Sequence, residues 1–99
     1  MVKVGVMIRI EAKPDRADEL EATLQAALSK IQQDEPTIVW LALRLGPTTF
    51  SVVDAFLDEA GRQAHLDAYL GALQAAAPEL LSAPPSIEYT DVVAAKLPG

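Results

Sequence analysis

Residues 37–45, TIVWLALRL, form a stretch with no polar face before its penultimate arginine. Read as a strand, it sets Val39, Leu41 and Leu43 on one side and Ile38, Trp40 and Ala42 on the other, because side chains alternate with a period of two. A strand that is apolar on both sides belongs to a sheet covered on both faces. Any fold for this chain must therefore supply two covers for one sheet, and 99 residues leave little material for the second.

The rest of the sequence supplies one cover. Residues 2–11 alternate, with Val2, Val4, Val6, Ile8 and Ile10 on one face and Lys3, Gly5, Met7, Arg9 and Glu11 on the other, which predicts a strand. Pro14 and Asp15 suit the start of a helix that runs to about Asp34, with Leu20, Leu24, Leu28 and Ile31 at helical spacing. Glu35-Pro36 stops it. GPTT (46–49) is a turn, so 37–45 and 50–57 predict a hairpin. Asp58 suits the N-cap of a second helix through about Ala77, with the stripe Leu66, Leu70, Leu73 and Ala77. Pro78 then opens a separate short turn, SAPPS breaks the chain, and residues 87–95 predict a last strand.

The order β-α-β-β-α-β predicts an α+β, ferredoxin-like domain spanning residues 1–99. It has a four-stranded antiparallel sheet with both helices on one face. The other face needs a cover from outside the chain. Leaving so much apolar surface in water is costly at roughly 25 cal/mol per Å², and a second copy through a two-fold interface is the simplest cover. The expectation is a homodimer.

Composition narrows the function. The formal net charge of −6 argues against nucleic acid and anionic membranes as partners, since both recruit basic patches. The absence of cysteine and the presence of a single histidine argue against a metal centre. The N-terminal residues lack the long apolar core of a signal peptide, and no apolar run approaches the roughly 18 residues of a membrane span. A cytoplasmic location is expected. Nucleotide-binding glycine motifs, the G-x-S-x-G elbow and H-E-x-x-H are all missing.

Several segments carry a resemblance. EAKPDRADEL, DEPTIVWLALRL, the hairpin, and the acidic DEA followed five residues later by His65 resemble the antibiotic biosynthesis monooxygenase family of dimeric α/β barrels. DEAGRQAHL and APELLSAPPSIEYTDVVAAKLP resemble a bacterial subgroup of it. The resemblance implies a sheet that dimerises into an α/β barrel. It also implies a cofactor-independent monooxygenase acting on a small aromatic or quinol-like substrate, with no cofactor. The alternative is a non-catalytic dimeric module that binds a small molecule or serves a structural role, since one fold hosts many functions. Haem degradation in the family resembles an Asn/Trp/His arrangement. This chain has no asparagine, and Trp40 is on the second strand, so that branch is disfavoured.

The resemblance places His65 at the family's helix histidine. On the helix it falls on the shoulder of the leucine stripe, one turn before Tyr69. An imidazole there is either a general base for a phenolic proton or a hydrogen-bonded packing residue. Trp40 is either a stacking platform for an aromatic substrate or core and interface. Arg9, Arg44 and Asp54 are charges inside strands and need partners. They form either a network across adjacent strands or rim ion pairs. Catalytically, Asp54 would orient His65, and Arg44 or Arg9 would stabilise an anion. Phe56 occupies an aromatic position of the family without a polar handle, so it lines a pocket with Tyr69. Tyr89 is open between ligand positioning and an edge role. The candidate site is thus His65 and Asp54 as catalytic residues and Trp40, Arg44, Arg9, Phe56 and Tyr69 as substrate-binding ones, with no metal.

Overall fold

A computed structural model describes residues 1–98. Its elements are β1 (Val4–Glu11), α1 (Ala17–Ile31), β2 (Thr37–Arg44), β3 (Thr49–Phe56), α2 (Glu59–Leu80) and β4 (Ser86–Asp91). The strands form one antiparallel sheet in the order β2-β3-β1-β4, and both helices pack on the same face. This is the ferredoxin-like α+β architecture that the alternation and helical spacing predict. No helix among the described residues is long and apolar enough to cross a membrane.

Register decides which side chains meet the helices. Trp40 pairs with Asp54, Asp54 with Val6, and Val6 with Tyr89, so these four share one row. The next row is Ala42, Val52, Ile8 and Ile87. Val6, Ile8 and Val52 of these rows, together with Phe50 and Ile10, lie under Leu20, Leu66 and Leu80 of the helices and build the core, with Trp40 and Ile87 packed against it. Phe50, Phe56, Ile10, Leu20 and Val6 are the largest side chains withdrawn from water. Burying each contributes about 1.5–3 kcal/mol.

The opposite face is uncovered. Leu41, Val53, Met7 and Glu88 form a row across it, with Met7 45% and Leu41 51% exposed. Leu43, two residues along, is 41% exposed. On β2 itself, an edge strand, Trp40 is partly buried on the helix-facing side while Ala42 and Arg44 stay exposed there.

Several boundaries differ from the sequence reading: β4 ends at Asp91 and not at residue 95, α1 ends at Ile31, and two further ends have a visible cause. Helix α1 starts at Ala17, because residues 14–16 form a tight turn in which Arg16 N–H donates to the Lys13 carbonyl at 2.9 Å. Helix α2 does not end near Ala77 but continues through Pro78 to Leu80. Proline removes one helical hydrogen bond, yet here it falls in the last turn. Leu81 N–H closes that turn on the Ala77 carbonyl, and Lys13 ties it to the end of β1. The Lys13 backbone N–H donates to the Leu80 carbonyl at 2.8 Å, and its Nζ donates to the Pro78 carbonyl at 2.7 Å. The start of α2 follows its sequence signal: Asp58 Oδ1 accepts from Gly61 N–H at 2.8 Å.

Candidate active site

Three separate elements deliver the polar cluster. His65 lies in the second turn of α2, on the side of the helix that faces the sheet, and is 4% exposed. Asp54 comes from β3, on the helix-facing row, and is 2% exposed. Asp34 comes from the turn after α1, where Pro36 prevents further helix and Thr37 N–H donates to the Asp34 carbonyl at 3.1 Å. That turn also places the Thr37 hydroxyl beside Asp34 at the start of β2.

The imidazole has a carboxylate on each side. Nε2 is 2.9 Å from Asp54 Oδ2, and Nδ1 is 3.1 Å from Asp34 Oδ2 and 2.8 Å from Thr37 Oγ1. The Thr37 hydroxyl donates to Asp34 Oδ2. Its one proton is thereby committed, so toward His65 it can only accept. Nδ1 is therefore a donor, shared between Thr37 and Asp34. On the other side Asp54 Oδ2 lies 2.9 Å from Nε2, and Asp54 Oδ1 has no hydrogen-bond partner. Such a group is uncommon in a folded interior.

The electrostatics follow from this enclosure. Burial opposes the charged imidazolium, but Asp54 and Asp34 outweigh it and raise the His65 pKa above its ordinary 6.5. Burial raises the Asp54 carboxyl above its ordinary 3.8; His65 partly offsets this, and Asp34 adds to it. Phe56 packs against the ring at 5.3 Å between centroids and Tyr69 at 4.9 Å.

Beside this cluster, between sheet and helices, lies a cavity of about 160 Å³. Apolar side chains make most of its wall, among them Ile8, Leu24, Val52 and Leu70, with Trp40 at one side. Asp54, His65, Tyr69 and Thr23 are its polar members. An apolar cavity of about 150 Å³ accommodates benzene, so the volume corresponds to one aromatic ring. The space is not filled by the helices' own leucines.

Four of the residues singled out in the sequence thus meet at one place: His65, Asp54, Trp40 and Tyr69. Phe56 is buried behind the imidazole and does not line the cavity. Arg44 is held elsewhere, donating to Asp18 and Glu21 of α1 at 3.2 Å each, with its guanidinium 5.0 Å from the centre of the Phe50 ring. Arg9 pairs with Ser51 and Ser86 on the face away from the helices. A network joining Arg9, Arg44 and Asp54 does not form, because the register puts Arg9 on the opposite side of the sheet and α1 offers Arg44 nearer carboxylates. Tyr89 is an exposed edge residue beneath Arg62, 4.8 Å from its guanidinium. Asp34 and Thr37 were not among the sequence candidates. The local signal D-E-P-T marks a turn, and nothing in it connects to a histidine about thirty positions further along.

Comparison with known proteins agrees with this architecture. The model of the antibiotic biosynthesis monooxygenase family matches residues 3–78. A protein of unknown function from Nitrosomonas europaea shares 48% identity over 100% of this chain and 97% of its own, with a TM-score of 0.95. A monooxygenase from the gene ActVA-Orf6 of Streptomyces coelicolor, solved in complex with the ligand nanaomycin D, has 15% identity and a TM-score of 0.77. That match covers 99% of this chain and 94% of the other. Rv0793 from Mycobacterium tuberculosis has 19% identity and a TM-score of 0.75, over 98% and 97% of the two chains. At these lower identities the likeness concerns the fold. No curated protein matches the sequence.

Proposed function

The chain belongs to the antibiotic biosynthesis monooxygenase family, and from that premise we propose that it is a cofactor-independent monooxygenase of a small aromatic, quinol-like substrate. One observation carries the reading: a ring-sized apolar cavity is lined by a buried carboxylate, Asp54, whose Oδ1 has no hydrogen-bond partner and whose neighbour is His65. A substrate hydroxyl supplies the missing donor. Transfer of its proton to the Asp54–His65 pair leaves an electron-rich anion, and the apolar walls exclude water that would otherwise stabilise the ground state.

The redox balance closes on the substrate. A quinol and O2 give a hydroxyquinone and water, so the organic molecule supplies every electron and no external reductant enters. Trp40 and Tyr69 are the walls against which the ring packs. His65 faces the developing anion in this reading; Arg44, held by Asp18 and Glu21, and Arg9, on the opposite face of the sheet, do not line the cavity. Phe56 backs the imidazole.

Oxygen uptake by metal-free protein over a panel of one- and two-ring quinols tests this. Uptake that depends on substrate and drops at least 100-fold in Asp54→Asn is expected, within the range of about 10²–10⁴ for acid–base catalysis. Equal rates for the variant and wild type, or binding without uptake across the panel, would turn the reading toward a binding module.

The working unit in this reading is a homodimer. Leu41, Leu43, Met7 and Val53 form an apolar sheet face with no cover from the chain itself, and a second sheet related by a two-fold axis covers it symmetrically. Sedimentation at micromolar concentration is expected to give twice the 10.6 kDa of one chain. A single species at 10.6 kDa would rule the dimer out.

A further inference from the structure

We propose that Asp34 and Thr37 are positioning residues that hold His65 as an imidazolium, so that Asp54, and not the imidazole, receives the proton of a bound hydroxyl. This rests on the reading of the cavity as a substrate site and assigns the roles within it.

The assignment comes from counting donors. Thr37 spends its only proton on Asp34, so Nδ1 must carry a proton of its own to face both groups. At the other nitrogen, a bare lone pair 2.9 Å from the lone pairs of an ionised Asp54 would repel them, so Nε2 is protonated as well. A ring protonated at both positions has no lone pair for a substrate. Asp34 Oδ2 is satisfied by Thr37 and Nδ1, whereas Asp54 has Nε2 beside Oδ2 and no donor for Oδ1. The one acceptor of the cluster without a partner, Asp54 Oδ1, therefore belongs to the carboxylate that lines the cavity.

The groups facing His65 are Asp54 from β3, Asp34 from the turn after α1, Thr37 from β2 and Tyr69 from its own helix. No lysine or arginine is among the residues that line the cavity. Two carboxylates around one cation leave one negative charge, and Asp54 Oδ1 is the oxygen with no donor to stabilise it. In the transfer, the hydroxyl O–H bond breaks, its proton joins Asp54, and the electron pair stays on the substrate oxygen. The total charge is unchanged, and the resulting oxyanion faces the imidazolium. Burial, which raises the Asp54 carboxyl, narrows the gap to a phenol near about 10.

His65 is the only histidine, so its ring nitrogens give a single set of nuclear magnetic resonance signals. In free wild-type protein at pH 7 both ring nitrogens are expected to be protonated. In Asp34→Asn the titration midpoint is expected to fall by at least one pH unit, a tenfold change in proton affinity. Thr37→Val should move it the same way by less, and serves where Asp34→Asn does not fold. A neutral ring in the wild type at pH 7, or a midpoint that neither variant moves, would overturn the assignment. A merely structural Asp34 would lower stability and leave the midpoint in place. Because the titration needs no substrate, its failure is separate from an absence of oxygen uptake, which strikes the reading beneath it.

Discussion

Replacing His65 by leucine is expected to destabilise the fold by about 3 kcal/mol or more, the cost typical of removing one partner from a buried ion pair. Asp54 would then sit 2% exposed, without the cation 2.9 Å away, among apolar side chains. The double variant His65→Leu with Asp54→Leu should recover most of that loss. It leaves no unpaired charge at the sheet, and buried ion pairs are often replaceable by apolar residues of similar volume. Urea unfolding midpoints of wild type, single and double variant measure this, and a double variant less stable than the single one would contradict it.

The same cluster fixes a pH dependence. His65 and Asp54 both have raised pKa values in the folded state. The folded protein therefore holds more protons than the unfolded chain wherever these groups titrate, and stability falls as pH rises. For Asp54 the fall begins above its ordinary 3.8. For His65 the stabilisation is complete below 6.5 and is lost as pH rises through the higher folded value. Urea midpoints between pH 6 and pH 9 should decline for the wild type and stay level for the double variant His65→Leu with Asp54→Leu, which removes both groups. A wild type that gains stability over that range would show the sign to be wrong.

The second large effect is expected at Gly5. A Cβ built there would stand 2.5 Å from the Asp54 carbonyl oxygen and 2.8 Å from Thr90 Oγ1. The threonine side chain can turn away, but the carbonyl belongs to the neighbouring strand and moves only with it. Gly5→Ala should therefore cost about 1–3 kcal/mol, as overpacking does, even though alanine ordinarily improves a strand over glycine. Adding Thr90→Ala should not restore stability, because the shorter contact is with backbone. Since the displaced carbonyl is that of Asp54, the His65 ring signals should shift in the same variant. Gly71 is the control: nothing lies within 4 Å of a Cβ there, and Gly71→Ala in helix α2 should stabilise by up to about 1 kcal/mol. Thermal unfolding of the three variants separates the cases.

How far the site was legible can be followed residue by residue. His65 stands out in the sequence as the only imidazole, and it lines the cavity together with the two aromatic candidates Trp40 and Tyr69. Asp54 was marked because a carboxylate inside an apolar strand needs a partner, and the partner it finds is His65. By the same logic Arg9 and Arg44 were marked, yet their needs are met by solvent on the far face and by Asp18 and Glu21 of α1. The rule that a charge in a strand needs a partner was sound; it does not say which element supplies the partner.

The sequence by itself determined the elements and their order, since alternation, helical spacing, the Asp58 cap and the Pro36 stop act over a few residues and need no distant contact. It also determined that one sheet face would lack a cover, because β2 is apolar on both sides and two helices lie on only one. Tertiary structure alone decided the pairing of Trp40 with Asp54 and of Asp54 with Val6. A slip of one residue would have turned each of these to the other face. It also decided that Asp34 and Asp54, from two separate elements, would enclose the imidazole of His65 on a third. Such proximity arises when the helices dock on the sheet, and local sequence pattern carries no information about it.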